Sequence, residues 1–376
     1  MLTAQSEFTA QGGLSGKIDS MTEIKTQSDL RVRRYGPGEI HAHLSDWETY
    51  FAKCPILAVG NHPRWLSVLE QGLKHVPYGL EAIRDDQTVG LLPLTYVQSR
   101  LFGRFLVSLP YLNSAGVMAD DEDAATSLID SAVVLADELD VRYLELRHEQ
   151  HREHPALGHE MLSKVHMRLE LPHSTDVLWK SFKPKVRNQV RKGEKCELRV
   201  EWGGVELLDD YYDVFSRNMR DLGTPVYGRS FFETILSQFS THAELCVVWL
   251  SQRPIAAALL VHGNSITEVP SASSLRTFNS TNANMLMYWH LLQRACQRGQ
   301  QQFDFGRSTE GSNTFRFKKQ WGAKPVPAVW QYYVRRGQFS DMRRESGAYQ
   351  RVINIWKHLP VRLTRLIGPT IVRGIP

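Results

Sequence analysis

One order of elements can be traced twice along this chain: three strands, a helix, then a further strand. In the first round, residues 78–84 and 88–98 are apolar runs flanking Asp85-Asp86-Gln87, a composition that predicts a hairpin, and residues 104–111 supply a third strand. Asp120, Asp121, Glu122 and Asp123 open a helix that runs to Leu139, because carboxylates at a helix start complement its dipole, and residues 141–146 follow as a strand. The second round uses residues 244–250, 255–262 and 265–272, a helix capped at Asn282 with Met285, Trp289, Leu292 and Cys296 on its core face, and a strand at 303–305. No residue-level repetition accompanies the plan. Sheets alternating with helices predict an α/β (α+β) fold with two domains in tandem, and 376 residues at 42% hydrophobic content can fill two cores.

The remainder is organised around these rounds. Residues 1–29, rich in Ser, Thr, Gln and Gly, read as a disordered leader; 30–172 form a first domain, 173–340 a second, and 341–376 a basic amphipathic tail. A strand at 30–35, a helix capped by Asp46 and a helix over 65–73 precede the first hairpin. Between the rounds, residues 178–195 read as one basic helix that includes Arg187, and 206–222 and 231–239 carry apolar stripes at helical spacing. No apolar run is long enough to span a membrane and no signal-peptide pattern is present, so a cytoplasmic protein is expected. Cys54, Cys196, Cys246 and Cys296 are too scattered for a disulfide frame or a zinc site. His148, His151 and His154 fall short of H-E-x-x-H, whose second His would replace Arg152, and predict a solvated loop with no metal.

The chemical centre is expected in 303–322, FDFGRSTEGSNTFRFKKQWG. Phe303, Phe305, Phe315 and Phe317 alternate with Asp304, Arg316 and Lys318, a period of two that predicts extended strands. Gly306, Ser308, Gly311, Ser312 and Asn313 between them make a loop that can approach a ligand closely. Periodicity alone fits a packed hairpin with solvated cations equally well.

The stretches FDFGRS and FKKQWGAKP resemble the C-terminal motif of Fem-type (FemAB-like) and GNAT-like acyltransferases found with bacterial exopolysaccharide and PEP-CTERM/exosortase loci. SRLFGRFLVSLPYLNSAG, ELR, FKPKVRNQVRKG and MRDLGTPVYG extend the resemblance, in order, across residues 60 to 335. It implies two tandem GNAT-like (acyl-CoA N-acyltransferase-like) domains, the same architecture as the repeated plan. It also implies an N-acyltransferase of cell-envelope biosynthesis that moves an acetyl or aminoacyl group to an amino group on an exopolysaccharide, glycan or peptidoglycan-like precursor. The donor is acyl-CoA or aminoacyl-tRNA, which would make tRNA a partner; no bound cofactor is implied. The stretch 276–284 lacks the glycines with which a CoA-using GNAT holds pyrophosphate, and both donors stay open.

Carried onto this sequence, the resemblance makes Phe317 and Lys318 the catalytic pair, with Lys318 beside the donor carbonyl. Asp304 and Arg307 are expected as an ion pair orienting the donor loop, with Ser308, Asn313 and Trp321 also on the donor side, in the second domain. Arg104, Tyr111, Asn113 and Arg187 are expected to contact the acceptor, with the first domain as the acceptor side. The alternative class is a non-catalytic module that binds RNA or an anionic polymer, motivated by a net charge of +5 and the basic helix, although no nucleic-acid reader motif accompanies them. The tail mixes Arg351, Lys357, Arg362, Arg365 and Arg373 with Val, Ile, Leu and Trp. Such a pattern suits peripheral contact with the inner face of a membrane or docking on the protein itself.

Overall fold

The computed structural model describes residues 29–54, 58–339 and 347–375, side chains of 347–352 excepted; the expected leader, apart from Asp29, and the side chain of Arg351 lie outside the described residues. The first round comprises β1 (Arg31–Tyr35), α1 (Ile40–Ala52), α2 (Trp65–Leu73), β2 (Val76–Arg84), β3 (Gln87–Ser99), β4 (Gly103–Val107), β5 (Met118–Ala119), α3 (Glu122–Glu138), β6 (Tyr143–His148) and β7 (His159–Met161). Asp85 and Asp86 hold φ of 51° and 58°, the left-handed pair that a two-residue hairpin turn demands. The third strand ends earlier than expected, at Val107, because Leu109 and Tyr111 turn the chain with φ of 51° and 72°. α1 starts six residues before Asp46, at Ile40.

The second round follows with β8 (Val165–Glu170), α4 (Thr175–Ser181), α5 (Pro184–Glu194), β9 (Leu198–Gly203), α6 (Leu208–Leu222), α7 (Arg229–Gln238), β10 (Ala243–Leu250), β11 (Arg253–His262), β12 (Ile266–Ser274), α8 (Ala283–Gln297), β13 (Gln302–Ser308), α9 (Asn313–Gln320), β14 (Lys324–Pro327) and β15 (Val329–Val334). The basic helix expected over 178–195 is two helices: Pro184 lacks an N–H and holds Lys183 extended, at ψ 149°, so the chain turns before restarting.

The strands form two sheets, with orders β1-β2-β3-β4-β6-β15-β7 and β14-β8-β13-β12-β11-β10-β9. Each contains one short parallel pair, β4 with β6 and β12 with β13, which stay in register for three residues and then part. β8 pairs with β13 in the second sheet, and β15 pairs with β6 and β7 in the first, so the chain crosses between sheets more than once. Along β10 and β11, alternate side chains point to opposite faces. Leu245, Val247, Ala257 and Leu259 join a core shared with Trp65, Leu66 and Leu69 of α2, while Cys246, Val248, Ala256 and Ala258 pack with α8. A continuous apolar core therefore joins the halves, with Trp65 and Phe239 rings 4.9 Å apart across the seam.

The tail folds as α10 (Gly347–His358) and α11 (Val361–Val372), docked on α6. Arg365 donates to Asp213 at 2.6 Å and to Ser216 Oγ at 2.8 Å, and Gly368 packs so tightly that a Cβ there would lie 2.9 Å from Val226 N.

Candidate active site

β13 carries the site to the seam between the halves. Its pairing with β8 is broken between Asp304 and Arg307, where Gly306 takes φ 77°, open to glycine at no cost, and donates its N–H to Asp304 Oδ1 at 2.6 Å. The segment after the loop is a helix, α9, and not the second strand that the alternation of Phe315 and Phe317 predicted. Ser312 caps it by accepting from Phe315 N at 3.2 Å. Helical geometry turns Lys318 inward, 8% exposed, and leaves Lys319 exposed above the Phe315 ring.

Lys318 Nζ donates to Gly306 O at 2.9 Å and to Arg307 O at 3.0 Å, closing the bulge. Arg307 leans over the Trp330 indole, its Cζ 3.4 Å from the ring centroid, and donates from Nε to Asn113 Oδ1 at 3.3 Å. Lys164 stands at the rim, with Nζ 3.4 Å from Thr309 Oγ1. Among the described residues no carboxylate forms an ion pair with any of these three cations. Burial pushes Lys318 down to about 8, with Lys164 and Arg307 adding repulsion against a pull from Asp304. Burial and the neighbouring Arg147 lower Arg307 to about 9, and partial burial together with Arg307 lowers Lys164. Ser308 Oγ, buried beside them, has no hydrogen-bond partner. Unpaired, mutually repelling cations with a spare hydroxyl form a receptor for negative charge.

The expected Asp304–Arg307 pair is not formed. Asp304 is buried against β8, where it accepts from Arg168 Nε at 2.9 Å and faces His166 Nδ1 at 3.5 Å. Burial alone would raise its carboxyl, but His166 and Arg168 hold it below the ordinary range. Arg168 also donates to Glu149 Oε2 at 2.8 Å, and Ser114 Oγ lies 3.1 Å from His166 Nε2. Ser114, His166 and Asp304 thus stand in the order of a nucleophilic triad. They do not act as one: Ser114 and His166 are at most 1% exposed, and the serine donates to Glu149 at 2.6 Å. The network braces the two halves. Glu268, opposite Asp304 on β12, is buried and accepts from Gly60 N at 3.4 Å; burial and then Asp304 raise its carboxyl.

The structure thus gathers Lys318, Arg307, Ser308, Asn113 and Asp304. Tyr111 is two residues from Asn113 and lines a cavity of about 250 Å³ with Phe215, Met219, Leu222, Tyr227 and Phe231. Phe317 packs edge-on to Tyr288 and Trp321 is buried beside Phe182, which makes both supports for α9. Asn313 is exposed at the start of α9 and Arg104 pairs with Asp140 at 2.8 Å, so these two do not join the cluster, and Arg187 sits on α5. A second cavity, of about 390 Å³, reaches Glu149 past Asn61, Arg147, His148 and Arg152. The expected solvated histidine loop is corrected here, since His148 is buried at the end of β6 against Gln331, at 2.9 Å, and the His154 side chain is buried as well.

Sequence reasoning passed over Lys164, His166, Arg168 and Glu268. The run Val165-His166-Met167-Arg168-Leu169 alternates as a strand with one polar face, and polar residues inside an otherwise apolar period were the available signal.

Residues 180–319 match the family described as acetyltransferase (GNAT) domain. Among solved structures, FemX superposes with a TM-score of 0.62 at 16% identity, over 78% of this chain and 96% of that one. A tandem GNAT protein from the clavulanic acid biosynthesis pathway gives 0.54 at 10% identity, over 82% and 100%, and L-PGS from Bacillus licheniformis 0.51 at 12%, over 88% and 97%. No curated protein matches. At such identities the likeness is one of fold, and with the domain match it defines the class: a tandem GNAT fold carrying an acetyltransferase domain. The match over residues 180–319 supports an acyltransferase.

A GNAT domain implies an acyl-CoA donor. In GNAT folds the pyrophosphate would lie at the start of α8, where Ala283 N already donates to Thr281 Oγ1 at 3.3 Å and Met285 N to Asn282 O at 2.9 Å. With no glycine and few free N–H groups, this turn is a poor cradle for phosphate, and no step is built on one there.

Proposed function

We propose that the protein is an N-acyltransferase that moves an acyl or aminoacyl group to an amine on a cell-envelope or exopolysaccharide precursor, in the cytoplasm, with chemistry at the end of β13. The observation that carries this reading is the trio Lys318, Arg307 and Lys164, cationic and, among the described residues, without a carboxylate partner at a seam walled by both halves. Attack of an amine on an activated acyl carbonyl places negative charge on the carbonyl oxygen, and preorganised cations in a water-poor site lower that barrier. Lys318, held by two carbonyls, presents its remaining N–H to the oxyanion, with Arg307 behind it. The amine must also lose a proton. The collapse of the intermediate expels the donor's leaving group and leaves the amide.

The donor belongs to the second half in this reading, and the cavity that reaches Glu149 past Arg147, His148 and Arg152 supports the first half as the acceptor's side. The test supplies a precursor extract in parallel with acetyl-CoA and with charged tRNA and follows transferred mass by mass spectrometry. A mass increment on an amine-bearing precursor, present with the native protein and absent with Lys318→Met, is expected. No transfer from either donor, together with equal, steeply salt-dependent binding to tRNA and generic RNA, would replace the enzyme by an anionic-polymer binder.

A further inference from the structure

α11 has two used faces. Thr364, Gly368 and Val372, four residues apart, are buried against the protein. On the other side, Arg362, Leu366, Thr370 and Arg373 follow at helical spacing and are exposed, Leu366 at 75%. The end of this stripe meets the tip of the β3–β4 hairpin. A cavity of about 710 Å³ lies between them, lined by Arg100, Leu101 and Arg104 from the hairpin and by Thr370, Arg373 and Gly374 from the tail. The two segments are fastened together: a Cβ on Gly374 would lie 2.5 Å from Ser99 Oγ, and Tyr111 donates its hydroxyl to Arg373 O at 2.7 Å. Ser99 Oγ in turn accepts from Phe102 N at 3.2 Å, which fixes the tip.

Leu101 is 78% exposed, and with Leu366 it tops the exposed large apolar residues among those described; Leu363, at 40%, lies three residues from Leu366 on α11. Neither the hairpin tip, 98–104, nor the tail, 347–376, contains an Asp or Glu. The carboxylate that pairs with the hairpin tip, Asp140, serves Arg104, Arg335 and Arg336 together, which leaves the rim positive. A cleft lined by guanidiniums and flanked by protruding leucines matches the layering of a bilayer surface, where phosphates lie just above acyl chains.

We propose that the hairpin tip and the outer face of α11 form one docking surface for an anionic phospholipid bilayer, with Arg100 and Arg373 taking headgroup phosphate in the cleft and Leu101, Leu363 and Leu366 entering the acyl boundary. The surface is independent of the acyl-transfer reading, and either can fail without the other. The test is cosedimentation of the full chain with vesicles of phosphatidylcholine alone and of phosphatidylcholine mixed with phosphatidylglycerol, with turnover on a soluble acceptor and melting followed in the same preparations. Binding is expected only to the anionic vesicles. Arg100→Gln and Arg373→Gln should each weaken it about fivefold. Leu101→Ser combined with Leu366→Ser should weaken it about tenfold or more, with melting and turnover unchanged. Equal binding to both vesicle types, no binding, or leucine variants that bind as well as the native protein would overturn the proposal. So would displacement by inorganic pyrophosphate or by RNA at concentrations that leave the leucine contribution intact, since each would mark the cleft as a site for free phosphate or nucleic acid.

Discussion

Where β4 parts from β6 in the first half, the chain fills the gap itself. Ser108 N donates to Glu145 O at 2.9 Å, Ala115 N to Arg147 O at 3.0 Å, and the Arg147 guanidinium is held by Glu145 at 2.6 Å and by Leu112 O at 2.7 Å. Where β12 parts from β13 in the second half, the nearby Lys318, Arg307 and Lys164 contact backbone carbonyls, a side-chain amide, an indole and a hydroxyl, and no carboxylate pairs with them among the described residues. The same indole, Trp330, receives Arg147 at 4.0 Å and Arg307 at 3.4 Å. One topology thus yields a neutralised, closed gap that acts as scaffold and a charged, unfinished one suited to chemistry. The helix starts differ in the same sense: α3 has Asp121, Glu122 and Asp123 at its start, whereas α8 has no acid in its first turn.

The widest separation between the halves should come from their two arginines. Arg147→Leu strands the buried Glu145 carboxylate and should cost about 3–5 kcal/mol of stability, read from denaturant midpoints. Arg307→Leu removes a cation that has no ionic partner among the described residues, so the midpoint should hold or rise while turnover drops about a hundredfold. Equal destabilisation by both would erase the distinction between scaffold and site.

Next in size is Lys318→Met, expected to lower kcat on the order of 10²- to 10³-fold, about 3–4 kcal/mol of transition-state stabilisation. Lys319→Ala, on the exposed side of α9, should stay within about twofold of native. Lys318→Arg should recover little, because a planar guanidinium cannot meet two carbonyls 2.9 and 3.0 Å away from the position of an ammonium. Comparable turnover in all three variants would remove Lys318 from the mechanism.

A smaller, graded effect is the response to pH. Lys318 titrates near 8 in the folded protein against an ordinary 10.5, so the protonated, active form is lost as pH rises above about 8, and rate should then fall toward tenfold per unit. The stability sign is opposite. Between about 8 and 10.5 the unfolded chain binds the proton that the folded chain has released, so native protein should gain stability relative to Lys318→Met as pH rises through that window. An alkaline limb unchanged in position by Arg307→Leu, which removes one of the repelling charges, would count against this assignment. The smallest effect expected is at the closed half: Asp121→Ala removes the α3 cap and should cost about 1 kcal/mol in melting experiments, with no change in donor KM.

The sequence displayed what is local. The Asp85-Asp86 hairpin, the apolar stripes of α6 and α7 and the core face of α8 are each set by residues a few positions apart, and they stand close to where periodicity put them. The Phe315 and Phe317 spacing misled because eight residues of helix with aromatics two apart mimic a strand, and only the Ser312 cap tells them apart. The partner of Asp304 was illegible for another reason: Arg168 lies 136 positions away on a strand that joins the second sheet, and no spacing rule spans that distance. Lys318 and Asn113 stood out as residues, but the unpaired state that gives Lys318 its meaning depends on who else arrives at the seam.

The crossing of β8 and β15 has a consequence for synthesis. The first sheet takes its last two neighbours, β15 and then β7, only after Val334 is available, because β7 reaches that sheet through β15 alone. A ribosome that has made the first half still holds a sheet with the β6 edge unpaired, and it must complete most of the second half before that edge is covered. Cutting the chain between the rounds would therefore yield an N-terminal fragment lacking β15 and, if the cut followed Glu170, a C-terminal one lacking β8. Neither fragment is a transplantable module, and shuffling halves between relatives would need the two strands to travel with the sheets they complete.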